Sequence, residues 1–388
     1  MTNIASGRNM MRRWPYNWLL LAALLYAPLL FLGYGADIDA QQVIDSGVTL
    51  MNAGRYSPSR YPGYVVHEIP TAVLNQAGGA PLANLGTLAM ALWALYSFAR
   101  LLEYYALPQR ALLMLLLLTH PVYWTNAAVT LDYLWALALL LFGWRCLLSG
   151  GYGWAGLALG LAIGARLSSG ALVALLLLMQ FISLPGARWR LIGAGLLTLL
   201  LALLFYLPTL LTLGLLSLYF GDWNSIDYLL NFFYGNLLFF GPQLFFAAPF
   251  LLVLARRFRP RLTPEQRRLL WLCLAVIAAY EALFLRAPLE AEYLLPLLPA
   301  LLLVLGLRLP PRLLWLWLAL QFSSNFLHIN LSSLNGNYHS GEDLQAALFS
   351  WGSVSWHGQS TELTWGLFVR WGYLLTDALN RLRGALSV

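Results

Sequence analysis

The sequence predicts an all-α polytopic membrane protein of about 11–12 transmembrane helices, with amphipathic helices in its first outer loop. Three observations lead there. Of the 388 residues, 60% are hydrophobic and 10% charged, far below the roughly 25% charged of a soluble domain. Apolar runs near the roughly 20 residues needed to cross a bilayer recur along the chain. The basic residues are also sorted by loop, as a membrane protein requires. All 23 of them are arginine, and the net charge of +7 belongs to these loops. It is no sign of nucleic-acid binding.

Taken in order, the apolar runs and their breakers place spans at 16–34, 80–101, 110–129, 131–148, 152–165, 168–184, 190–213, 237–255, 269–286, 291–307 and 312–326, with a weaker twelfth at 363–380. Arg8, Arg12 and Arg13 precede the first run, Trp18 to Gly33. That run is too long for a signal-peptide core and lacks a small-residue cleavage site, so a retained helix with a cytoplasmic N-terminus is expected. Alternate threading then puts Arg100, Arg110, Arg145, Arg188 and Arg190 inside, followed by the cluster from Arg256 to Arg268, then Arg308, Arg312, Arg381 and Arg383. Arg55, Arg60, Arg166 and Arg286 fall outside or near the outer ends. The two cysteines, Cys146 and Cys273, lie inside apolar spans, which excludes a cysteine metal site and argues against a disulfide framework.

Residues 35–79, 214–236 and 327–362 form the large outer segments, and they carry acids, aromatics and amides. The expected organisation is a transmembrane catalytic module over 1–326, with outer loops 35–79 and 214–236. An outer C-terminal segment with a last helix follows over 327–388. A site is expected on the outer face.

Asp37-Ile38-Asp39 follows the first span in a chain with only 16 acidic residues. An extended backbone there puts both carboxylates on one side. Such a pair holds a divalent metal such as Mg or Mn through oxygen, or supplies a general base tuned by its neighbour. The same acids also suit an interface or a helix cap. Gln41 to Asn52 reads as an amphipathic helix that can lie in the interfacial plane. Beyond Gly54 comes Arg55-Tyr56-Ser57-Pro58-Ser59-Arg60-Tyr61-Pro62-Gly63-Tyr64, then His67-Glu68. The arginines suit a lipid phosphate through their planar donor fork, and equally a headgroup or Glu68.

This order resembles the first outer loop of the GT-C superfamily of integral-membrane glycosyltransferases, whose members include protein O-mannosyltransferases and lipid A aminoarabinose transferases. Later segments are similar too: Thr119-His120-Pro121 through Thr130-Leu131-Asp132-Tyr133, the junction at Arg166, and Arg286 through Glu290, Glu292 and Tyr293 to Pro296. The resemblance implies a polyprenyl-phosphate-linked sugar donor and an acid, Asp37 or Asp39, that activates the acceptor or associates with a metal. It implies donor-phosphate contacts from Arg55, Arg60, Arg166 and Arg286, and substrate contacts from Tyr61, His67, Glu68, Asp132 and Tyr293. From the residues alone, Asp132 also suits a helix N-terminus, and Arg286 a local ion pair. Segment 214–236 suits sugar stacking or, more readily, an interfacial aromatic belt.

The function expected is inverting transfer of a sugar to a hydroxyl on a lipid, glycan or protein acceptor, at the outer face of a bacterial inner membrane. Membrane lipids are the other partners. No further cofactor is implied. Two alternatives share the multi-span plan. A flippase for lipid-linked sugars calls for more mid-membrane ionisable groups than Glu281 provides, and an O-antigen polymerase or ligase usually relies on a large late outer loop.

Overall fold

The computed structural model describes residues 4–31, 33–35, 38–214, 228–255, 257–258, 260–288 and 290–324, together with four two-residue strands in the tail. Asp37, residues 215–227, most of the tail and the expected span at 363–380 lie outside the described residues. The described chain is helical but for the tail strands Leu327–His328 with Ser350–Trp351 and Trp356–His357 with Ser360–Thr361. Among the described residues, three helical stretches are long and apolar enough to cross a membrane, Val65–Tyr104, Pro185–Leu211 and Pro264–Arg286, and six shorter apolar helices accompany them. This is a multi-pass membrane protein.

Several expected spans are interrupted, and each break has a local cause. Helix α1 (Ile4–Tyr26) tightens into a 3₁₀ turn over Ala27–Phe31. Helix α2 (Ile38–Ala53) is the amphipathic segment. Helix α3 (Val65–Tyr104) starts inside the expected outer loop and kinks at Gly78–Gly79, where Gly79 adopts φ 63°, ψ −155°. That conformation is essentially restricted to glycine. The expected span 110–129 divides into α4 (Arg110–Leu118) and α5 (Pro121–Asn126), because Pro121 has no N–H to continue the ladder. Carbonyls freed there find side chains: Gln321 donates to Leu116 O at 2.7 Å, and the Tyr26 hydroxyl donates to Leu118 O. In an apolar solvent such groups need partners inside the protein.

Helix α6 (Tyr133–Leu148) is buried along almost its whole length and forms the centre of the bundle. Helices α7 (Tyr152–Ala165) and α8 (Ser169–Ser183) follow, joined through Arg166. Helix α9 (Arg188–Leu213) lies close against α7. A Cβ on Gly160 would come within 2.7 Å of Leu201, and one on Gly164 within 2.4 Å of Phe205. Small residues that let backbones approach are the usual means of helix association in membranes. The opposite face of α9 exposes Leu196, Leu199, Leu200, Leu203 and Leu204.

The expected span 237–255 is likewise divided, into α10 (Tyr228–Phe240) and α11 (Pro242–Ala255), with Gly241 at φ 75° between them. Helix α12 (Pro264–Arg286) is unbroken and starts with a capping box between Thr263 and Gln266. A 3₁₀ turn at Ala291–Leu294 leads into α13 (Leu297–Arg308), and α14 (Pro311–Ser323) is the last described helix.

Candidate active site

Helix direction gathers the chemistry at one end of the bundle. The first turn of α2, the start of α6, the end of α7, the end of α12 and the start of α13 all lie there. It is the end expected, from the arginine bias in the sequence, to lie outside. The expected extended run over 37–39 is replaced, from Ile38 on, by helix α2, so Asp39 sits in a first helical turn. A carboxylate is favoured there by the helix dipole.

Asp132 precedes α6 and is fully buried. Its two oxygens accept from different arginines, Arg60 Nη2 at 2.7 Å and Arg166 Nη1 at 2.7 Å. The other terminal nitrogen of Arg60 pairs with Asp39. Residues far apart in sequence thus form one chain of charge, Asp39–Arg60–Asp132–Arg166. Two carboxylates balance two guanidiniums, as burial demands. Burial works against the charged form of Arg60, but Asp132, then Tyr133, Tyr64 and Asp39, outweigh it and hold the guanidinium above the usual arginine range.

Aromatic rings fix the guanidinium planes. The Cζ of Arg166 lies 3.9 Å from the Tyr133 ring centroid, 4.6 Å from Tyr293 and 5.9 Å from Tyr64. Arg60 lies 5.0 Å from Tyr64. Stacking on ring faces orients Arg as well as stabilising it. The Tyr133 hydroxyl in turn donates to Glu290. Beside this cluster is a cavity of about 110 Å³ lined by Arg166, Arg286, Tyr64, Tyr293, Tyr280 and Ser168, among others.

No family model matches the sequence, and no curated protein is similar to it. Solved structures are informative. The crystal structure of ArnT from Cupriavidus metallidurans in the apo state is similar with a TM-score of 0.56 at 18% identity, over 77% of this chain and 60% of that one. ArnT from the same organism bound to undecaprenyl phosphate gives a TM-score of 0.58 at 16% identity, over 78% and 62%. The chain has an ArnT-like fold. It spans about three fifths of the length of those ArnT chains.

Within the ArnT-like fold the expected site residues take distinct places. Asp39, Arg60, Asp132, Arg166 and Tyr293 share the charge cluster, and Arg286 joins them through the cavity. Glu68 is 1% exposed and holds its own loop together, accepting from Tyr56 Oη, Ser59 Oγ and, at 3.0 Å, Ser59 N. His67 is buried against Trp135, with ring centroids 5.5 Å apart. Tyr61 is 57% exposed, and Arg55 is exposed and makes none of the cluster's contacts. Tyr64 and Tyr133 were not expected in the site. Their signal is adjacency: Tyr133 follows Asp132 directly, and Tyr64 lies four residues after Arg60.

Of the acid pair that could hold Mg or Mn, Asp37 lies outside the described residues, and the described donors do not by themselves make a metal site. Asp39 and Asp132 are engaged by guanidiniums, and among the described residues no group of three or more His, Cys, Asp or Glu side chains could hold a metal ion. A dication added beside Arg60 would be repelled by it.

Proposed function

We propose that this chain is an integral-membrane glycosyltransferase. It moves a sugar, with inversion, from a polyprenyl-phosphate-linked donor to a hydroxyl acceptor at the outer, periplasmic face of a bacterial inner membrane. One observation carries the reading: a charge-balanced Asp39–Arg60–Asp132–Arg166 cluster adjoins a cavity that Arg166 and Arg286 both line. The donor class is supported by the likeness to ArnT bound to undecaprenyl phosphate.

Asp37 or Asp39 takes the proton of the acceptor hydroxyl as its oxygen attacks the anomeric carbon. The bond from that carbon to the phosphate oxygen breaks on the opposite face, and polyprenyl phosphate leaves with the electron pair. Arg166 and Arg286 stabilise the charge that develops on it, as preorganised donors do at other oxyanion sites. Tyr133 and Tyr293 keep Arg166 from reorienting. Asp132, with both oxygens engaged, positions the two arginines rather than touching substrate.

The test is transfer from a polyprenyl-phosphate sugar by purified protein carrying Asp37→Asn or Asp39→Asn. Loss of a general base costs about 10²–10⁴-fold in rate, and full activity in both variants would sink the assignment. Arg286→Ala should weaken donor binding in protein that still folds.

The flippase reading draws on the broken helices α4–α5 and α10–α11, since discontinuous helices mark many transporter sites. Facilitated movement of a labelled lipid-linked sugar by Asp37→Asn/Asp39→Asn protein that lacks transferase activity would favour it.

A further inference from the structure

A second cavity lies at the opposite end of the molecule. It has a volume of about 720 Å³, and its walls come from the turn before α4, the α11–α12 connection and the α13–α14 junction. Helix α12 joins the two sites, with Gln266 at this cavity and Arg286 at the other. Its 23 residues rise about 35 Å at 1.5 Å each, close to the roughly 30 Å hydrocarbon thickness of a bilayer. The cavity therefore sits at the other membrane interface, which the arginine bias makes the cytoplasmic one.

Its lining is chemically one-sided. Arg257, Arg261 and Arg308 all contribute, and no aspartate or glutamate does. None of the three forms an ion pair among the described residues. This differs from the outer cluster, where each guanidinium has its carboxylate. All three are exposed, so water and salt screen their mutual repulsion, but they leave unpaired donors around one space, and the planar guanidinium fork suits phosphate oxygens. The remaining wall is mainly apolar, with Leu107, Phe258, Leu309 and Pro310, and carries two neutral amides, Gln109 and Gln266.

We propose that this cavity binds a phosphate-bearing anion, and that its occupant is the headgroup of an anionic phospholipid of the cytoplasmic leaflet. The apolar wall beside the arginines favours an amphiphile over a soluble ion. Basic pockets between helices on the cytoplasmic side are known to take acidic headgroups. The volume lies within the roughly 300–1,000 Å³ of ordinary ligand sites. The proposal is independent of the transferase reading.

The full chain, purified in neutral detergent, is titrated with phosphatidylglycerol, phosphatidylcholine and inorganic phosphate, with bound lipid read by native mass spectrometry. Phosphatidylglycerol should bind, and phosphatidylcholine should not displace it. Removing one arginine, as in R261Q or R308Q, should weaken binding about fivefold, and the double variant about 25-fold. R308K should retain most of the affinity, and unchanged melting temperatures would show that the variants fold. Arg100, paired with Glu103 at 2.5 Å, supplies the control. If R100Q weakens binding as much as R308Q, general surface charge is responsible and the site is overturned. Wild-type affinity in the double variant overturns it as well. Displacement of the lipid by millimolar phosphate would overturn the lipid assignment in favour of a soluble anion.

Discussion

Asp132 is the residue on which the outer site turns, because a single carboxylate fixes two arginines that approach from different parts of the chain. Asp132→Asn leaves both guanidiniums in place with no charge between them. Removing one partner of a buried ion pair typically costs about 3–5 kcal/mol. The expected outcome is a marked fall in melting temperature in detergent, together with loss of donor binding. A variant with wild-type stability would show that Arg60 and Arg166 do not depend on this acid. Asp132 was legible in sequence as an acid suited to substrate or to a helix N-terminus. Its partners were not, since 72 and 34 residues separate it from Arg60 and Arg166, and only the fold closes that distance. Glu68 illustrates the converse: its proximity to the arginines in sequence suggested a pair with them, yet the nearer hydroxyls of Tyr56 and Ser59 engage it.

At the level of elements, the α7–α9 contact depends on the absence of side chains. Gly160 faces Leu201 with no room for a Cβ, so Gly160→Leu should force the helices apart. Overpacking of this kind costs about 1–3 kcal/mol. Thermal unfolding of the purified variant measures it, and an unchanged melting temperature would mean that α9 adjusts freely against α7. Because α7 ends at Arg166, the same variant should also lose transfer activity. Apolar runs and breakers located α2, α6, α7 and α8 within a few residues of their observed ends, because each is bounded by Gly, Pro or charged residues. They were less informative at α3 and at α10–α11. Hydropathy measures whether a stretch suits lipid, whereas the kink at Gly79 and the break at Gly241 are set by backbone conformation.

For the whole molecule, the two ends of the bundle should face different compartments. Tyr61 is exposed near the outer cluster, and Arg261 lines the opposite cavity. Both native cysteines are buried, so single introduced thiols can be read against a low background. In intact spheroplasts, a membrane-impermeant thiol reagent should label Tyr61→Cys and spare Arg261→Cys until the membrane is opened. The reverse pattern would invert the topology and move the proposed chemistry to the cytoplasm. Helix α3 gives this arrangement a mechanical side. Glu68 ties the loop at Tyr56 and Ser59 to the first turns of α3, so loop and helix form one stiff paddle above the Gly78–Gly79 joint. Arg60, carried on that paddle, is its latch onto Asp132. Swinging the paddle outward would mean unfastening Arg60 from Asp132, lifting His67 from Trp135 and Tyr64 from Arg166, and turning at one joint, while the spanning part of α3 stays where it is.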